Sequence, residues 1–343
     1  MTLSYIPSDT NDEGILKATA SGTLPSGQAV IVNADGTVSV PTSAFGSTVV
    51  FENANTSTES AAFDSNSNKV VIAYVDNGNS GHGTAIVGTV SGTSISFGSP
   101  TVFEASLNVA DTSITFDSNS NKVVISFSDT AAGNYGTAIV GTVSGTSISF
   151  GTPTVFESAN TSQISSTFDS NLNKVVIAYR DNGNSVYGTA IVGTVSSTSI
   201  SFGSATVFES AQIDNPAAVF DSNSNKVVIA YSDSGNGDYG TAIVGTVSGT
   251  SISFGSAALF ESARADQVSA TFDSNSNKVV IVYRDIGNNT NGTAIVATVS
   301  GTSISFGTAV VFNVGNSFNF AAAFDSNTNQ VVVTYKINSG ALG

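Results

Sequence analysis

Three sets of oxygen-bearing side chains recur at fixed spacing in this chain and are the first candidates for chemistry. Glu52, Glu104, Glu157, Glu209 and Glu261 form one set, and Asp76, Asp129, Asp181, Asp233 and Asp285 a second. Carboxylates held together can bind a hard cation or serve as acid and base. The third set begins with Asp64-Ser65-Asn66-Ser67-Asn68, which alternates carboxylate and amide oxygens like the start of a calcium loop. Lys69 stands where such a loop needs its turn glycine, and no distal bidentate Glu follows. The segment therefore reads as a hairpin turn whose Asp caps backbone N–H groups. Calcium is the one cofactor considered, and none is expected.

Other chemistries lack their parts. His82 is the single histidine and there is no cysteine, so neither a transition-metal centre nor a Ser-His-Asp arrangement can be assembled. Enzymes of the sialidase type need an arginine cluster and a tyrosine nucleophile. Only Arg180, Arg264 and Arg284 are present, and no Ser-x-Asp-x-Gly-x-Thr-Trp box occurs. The chain has no tryptophan to stack on a sugar. Tyr135, Tyr187 and Tyr239 share one loop position and read as packing residues rather than a sugar platform. No catalytic residue and no metal ligand is expected, and the chain is not expected to be an enzyme.

The elements that position these residues are set by an internal repeat. Phe-Asp-Ser-Asn begins at Phe63, Phe116, Phe168, Phe220, Phe272 and Phe324, so the spacing is 53 once and then 52. Each unit holds four strand candidates. In the first unit, strand a is Ser60–Phe63, strand b Val70–Tyr74 and strand c Thr84–Val90. Strand d is Ser94–Phe97 continuing through a bend to Thr101–Phe103. Asn, Asp and Gly mark the turns between them, and no segment shows helical periodicity. Four strands per repeat fit the blade of a β-propeller. Strand b is a continuous apolar run, as expected between stacked blades. Strand a is small, as a crowded axis requires, and strand d alternates, as a half-exposed edge should.

The last unit stops after strand b, Val331–Tyr335. The segment 27–32 resembles strand c, and 37–40 with 49–51 resembles strand d. The expected fold is all-β: a six-bladed propeller, residues 27–343, with four antiparallel strands per blade and a last blade shared by the two chain ends. Such a closure removes exposed sheet edges. Residues 1–26 fit no repeat and read as an arm, with Ile6-Pro7-Ser8-Asp9 irregular.

Composition narrows the partners. Charged residues are 10% of the chain, against a norm of roughly 25%. The net charge is −15, so no basic stripe exists to neutralise nucleic-acid phosphates or to dock on anionic membranes. No apolar run approaches the ~20 residues that span a bilayer, so no membrane insertion is expected. Met1–Thr10 lacks the basic and apolar regions of a secretory signal, which points to synthesis in a cytoplasm without export by that route.

Comparison among the repeats separates two faces. The a–b and c–d turns are nearly invariant. The b–c and d–a loops vary and share the other face, which carries His82, Tyr135, Arg180, Tyr187, Tyr239, Arg264 and Arg284 together with both acid sets. On the constant face, Asp64 and Lys69 and their equivalents nearly cancel. Five residues before each repeat phenylalanine stand Thr58, Asp111, Gln163, Asn215, Gln267 and Asn319, followed by Glu59, Thr112, Ile164, Pro216, Val268 and Phe320. The first six should ring the mouth of the axial channel on the variable face as a ligand-binding set. With Asp111 and Glu59 nearby and no basic member, the ring favours a cation over an anion.

The wording FDSNSNKVVIAY…GTAIVGTVSGTSISFG resembles propeller repeats in structural proteins of tailed bacteriophages, marine and cyanobacterial ones above all. The stretches 18–27 and 33–38 are also similar to the openings of phage virion proteins. The resemblance covers nearly the whole chain. It implies a virion component (tail, fibre or head-surface) that contributes to host attachment through the variable loops. Residues 1–26 would then contact other virion proteins, and a host glycan or protein would be the outside partner. The alternative is a carbohydrate-binding, lectin-like propeller.

Overall fold

A computed structural model describes residues 46–105 and 108–337 in full, and residues 30–32, 38 and 39 as strand backbone. Residues 1–26, the expected arm, lie outside the described residues. Among the described residues no helix is long and apolar enough to cross a membrane.

The chain is all-β and its repeats fold as successive antiparallel sheets. In the first, strand a is Thr56–Asp64, strand b Lys69–Asp76 and strand c His82–Ser91. Strand d is two pieces, Ser94–Phe97 and Thr101–Glu104, both paired with strand c. The bend read between them is real. Strand a is longer than the sequence pattern suggested, because its polar first half joins the ladder as well. In three later units strand d runs without a break into strand a of the next sheet, as in Thr154–Asp169, Thr206–Asp221 and Ala258–Asp273. The b–c loops, read as free of helix, contain short 3-10 turns at Asn77–Asn79, Thr130–Ala132 and Ser234–Asn236. Three residues after an Asp cap are too few to show a helical period.

Strand b is buried on both faces: Val175, Val176, Ile177, Ala178 and Tyr179 have no exposed surface. Its two faces pack on the two neighbouring sheets. Val228 and Ala230 of one sheet, for example, share a core with Val279, Ile281 and Tyr283 of the next. That double burial explains the lost alternation. An aromatic triad recurs between successive sheets: the strand-d ring of Phe156, for example, lies 5.3 Å from Tyr179 and 5.7 Å from Phe202.

The chain ends meet as expected. Val30, Ile31 and Val32 pair antiparallel with Val333, Val332 and Val331, and residues 38 and 39 add an outer strand. This last sheet holds strands from both ends of the chain. Among the described residues, however, no strand pairing joins it to the first repeat. Phe63 is 55% exposed there, whereas its equivalent Phe220 is 9% exposed. Ala61, Ala321 and Ala323 are exposed as well.

Candidate functional site

The six polar residues expected at the channel mouth share one backbone feature. Each sits in a bulge of strand a where the register with strand b slips, for example between Ser162 and Ser165. Each has positive φ: Thr58 50°, Asp111 51°, Gln163 52°, Asn215 51°, Gln267 50° and Asn319 56°. Glycine would hold this conformation without strain. A side chain occupies it in every repeat, which is the pattern of a position where the side chain is needed.

Part of that need is structural. The Gln163 side-chain oxygen accepts from the Asn215 N–H at 2.5 Å, and the Gln267 oxygen accepts from the Asn319 N–H at 2.5 Å. The Gln163 N–H in turn donates to Asp111, whose carboxyl is held above the usual range by burial, with that bond and nearby Arg180 pulling the other way. The Thr112 hydroxyl donates to the Thr58 carbonyl. Below this belt runs a second one, absent from the sequence reading. Ser60, Ser165 and Ser269 accept through Oγ from Ile114, Ala218 and Ala322 N–H groups of the next sheet at 3.2, 3.0 and 3.2 Å.

Around Gln163 the polar side chains are locked together. Asp214 Oδ1 accepts from Gln163 Nε2 at 2.8 Å and from Arg180 at 2.5 Å. Its Oδ2 accepts from Ser234 at 2.8 Å and Gln212 at 3.3 Å. Burial raises the Asp214 pKa, but these bonds and Arg180 outweigh it and leave the carboxyl below its usual range. Arg284 grips Asp266 with two bonds of 2.7 Å, and Arg264 lies 3.2 Å from Asp238. The three arginines expected on the variable face are therefore each paired with an Asp. The cation preference loses its ground too, since Arg180 lies beside Asp111 and Glu59 accepts from the Thr56 hydroxyl at 2.6 Å.

Further along the series the polar residues border open space. Asn215, Gln267, Val268, Asn319 and Phe320 line a cavity of about 390 Å³. Gln267 Nε2 and the side-chain amides of Asn215 and Asn319 are not among the groups that form the belt. The structure thus links neighbours in the series but divides them, with Thr58 against Thr112, Asp111 and Gln163 in the lock, and Asn215, Gln267 and Asn319 at the cavity.

The remaining variable-face candidates hold the loops. The edge of the Tyr135 ring lies 3.6 Å from where a Cβ on Gly133 would stand, and Tyr239 stands likewise to Gly237 at 3.5 Å. Tyr187 pairs with Asp181 in the ladder, and His82 with Asp76. The two acid sets, read as an acidic surface, are largely built in. The hydroxyls of Tyr179, Tyr231 and Tyr283 donate to Glu157, Glu209 and Glu261 at 3.2, 3.2 and 3.1 Å. Asp76, Asp181 and Asp285 cap their loops by accepting an N–H three residues on, at 3.0, 3.0 and 2.9 Å. Burial, and a neighbouring Glu, hold Asp181 and Asp285 above the usual carboxylate range.

On the constant face Asp64 Oδ1 accepts from the Asn66 and Ser67 N–H groups at 2.9 and 3.0 Å, and Oδ2 from the Ser67 hydroxyl at 2.6 Å. Both oxygens are thus engaged within the turn. Lys69 reaches the Thr89 hydroxyl at 2.8 Å. Among the described residues no group of three or more His, Cys, Asp or Glu could hold a metal ion.

No family model and no curated protein matches the chain. Among solved structures, a protein of unknown function from Dyadobacter fermentans DSM 18053 shares the fold. Its TM-score is 0.57 at 10% identity, over 82% of this chain and 90% of that one. AofleA from Arthrobotrys oligospora gives 0.47 at 11% identity, over 75% of each chain. The SapL1 lectin in complex with α-methyl fucoside gives 0.44 at 13% identity, over 74% of this chain and 80% of that one. The last two likenesses are too loose to bear on fold or function. None of the three is named as a virion protein.

Proposed function

We propose that this chain is a non-enzymatic, carbohydrate-binding β-propeller of six blades whose ligand enters at the mouth of the axial channel. The carrying observation is the cavity bordered by Asn215, Gln267 and Asn319 with Val268 and Phe320 beside them. Sugars offer hydroxyls that both donate and accept, which amides match, and C–H faces that an aromatic ring covers. Convergent polar groups in an apolar-sided pocket are the usual form of a small-ligand site.

Closure of the ring is part of the proposal. Phe51, ahead of the first repeat, lies 5.2 Å from Tyr74 and 6.0 Å from Phe97, taking the place that Phe156 holds between Tyr179 and Phe202. Residues 30–32 pair with the C-terminal strand. One stretch of chain therefore touches both sides of the seam. A place in a virion rests on the resemblance of the repeat wording alone.

The reading is tested by screening the full-length chain on a glycan array and confirming hits by calorimetry. Binding to at least one glycan class is expected. No binding to any glycan would overturn it.

A further inference from the structure

We infer that the mouth holds a single, off-axis subsite for one neutral sugar residue, formed by Asn215, Gln267 and Asn319 with Phe320 as its apolar wall; this rests on the carbohydrate reading above. Six equivalent positions would suggest a sixfold or axial site, but the hydrogen bonds break that symmetry.

Where the ring residue is Gln or Asp, its oxygen reaches the N–H of the next sheet: Asp111 to Gln163, Gln163 to Asn215, and Gln267 to Asn319. The Asn215 side chain is the exception: it does not make the equivalent bond to the Gln267 N–H. Gln267 commits only its oxygen, so its Nε2 donors remain, and the Asn319 side chain is exposed. Two Asn amides and one Gln NH₂ thus border the same cavity. Together they supply donors and acceptors, the mixture that vicinal hydroxyls need.

Charge selects the class. The carboxylates that precede the lining residues are neutralised, Asp214 by Arg180 and Asp266 by Arg284. The cavity lining itself carries no charged side chain. Lys336 of strand b lies with its Nζ 5.5 Å from the centre of the Phe318 ring, and neither residue lines the cavity. An acidic sugar would find no counter-charge there and would approach a chain of net charge −15. An amino sugar would find no free carboxylate. A neutral hexose or 6-deoxyhexose, with hydroxyls on one side and a C–H face for Phe320, fits.

The test uses the full chain with methyl glycosides of glucose, mannose, galactose and fucose, and with methyl glucuronide and methyl glucosaminide, by calorimetry. At least one neutral glycoside should bind with one site per chain and at least tenfold more tightly than both charged ones. Asn215→Gly and Asn319→Gly, which keep the positive φ without strain, should each weaken it by tenfold or more while the melting temperature stays near that of the parent. Phe320→Leu should weaken it with the fold intact. Preference for a charged glycoside, several sites per chain, or unchanged affinity in both Asn variants would overturn the inference while leaving glycan binding standing. Failure of every glycan to bind would overturn both.

Discussion

The side-chain oxygen of Gln163 accepts a hydrogen bond at 2.5 Å from the backbone N–H of Asn215, 52 positions later. The bond spans two sheets at equivalent places in the repeat. It satisfies an N–H that the strand-a bulge has removed from the ladder. Gln163→Ala should therefore destabilise the chain by about 1–3 kcal/mol, the cost of stranding a part-buried donor. Gln163→Leu, similar in size but with no acceptor, should behave alike. Urea denaturation checks both, and a loss under about 0.5 kcal/mol in each would deny the bond a structural role.

Tyr179 donates to Glu157 at 3.2 Å, while Phe127 fills the equivalent place in its own repeat. The ring fits either way, so only the hydroxyl differs. Tyr179→Phe should cost about 1 kcal/mol, and Phe127→Tyr should change stability by less than that. Equal losses in both would mean that ring packing, not the bond, governs the position.

Gly240 lies against the Phe260 ring, so a Cβ there would stand 2.3 Å from a ring carbon. Gly240→Ala forces that ring out of its triad and should cost about 1–3 kcal/mol as overpacking. A thermal melt reads it directly. A paired Gly249→Ala, in a hairpin where nothing lies within 4 Å of the Cβ but φ is +62°, separates crowding from backbone strain, since only the latter acts there.

Mild acid should stabilise this protein. Asp181, Asp233, Asp285 and Glu209 have raised pKa values, with burial the first cause. For an acid whose folded pKa exceeds its unfolded one, the charged form is penalised in the fold. That penalty is present in full at neutral pH and is relieved as pH falls through the folded value toward the unfolded one. Asp214 and Asp325 are lowered, so their contribution is lost only below the ordinary Asp value of 3.8. Between about pH 7 and pH 5 the melting temperature should hold or rise, and a fall would contradict the upward direction of these four shifts.

Ring closure can be probed chemically, because the chain has no cysteine. Ser113 and Ser166 touch across an interior junction, Oγ to Oγ at 2.9 Å. Their equivalents at the seam are Ala321 and Ala61. With Ser113→Cys/Ser166→Cys as the positive control, Ala321→Cys/Ala61→Cys should form an intramolecular disulfide on oxidation. A purely intermolecular product, or none while the control closes, would show that the ends stay apart.

Much of this was legible because burial writes itself into residue type. Val175–Tyr179 lost alternation as a doubly covered strand must, and the pairing of 30–32 with 331–333 followed from the unpaired last unit. The ring at Thr58, Asp111, Gln163, Asn215, Gln267 and Asn319 was visible as a recurring polar position beside mixed neighbours. What spacing could not show was the bulge. Positive φ at Gln163 is set by strand geometry, and no glycine announced it. Nor could it show that Arg180 pairs with Asp214 from the next repeat, since the 34 positions between them match no repeat period. The three-residue turns after Asp76, Asp129 and Asp233 were too short to carry a pattern.

The shared sheet also orders events in time. Residues 30–32 leave the ribosome long before Val331, Val332 and Val333, so the sheet they build is the last to form during synthesis. Every earlier junction joins neighbours in sequence and can assemble as it emerges. A chain halted anywhere before Val331 leaves residues 30–32 with only the outer strand at 38 and 39 as a partner. The same arrangement makes the repeat number adjustable by gene duplication, because a cassette inserted between interior repeats leaves the pairing of the two ends unchanged.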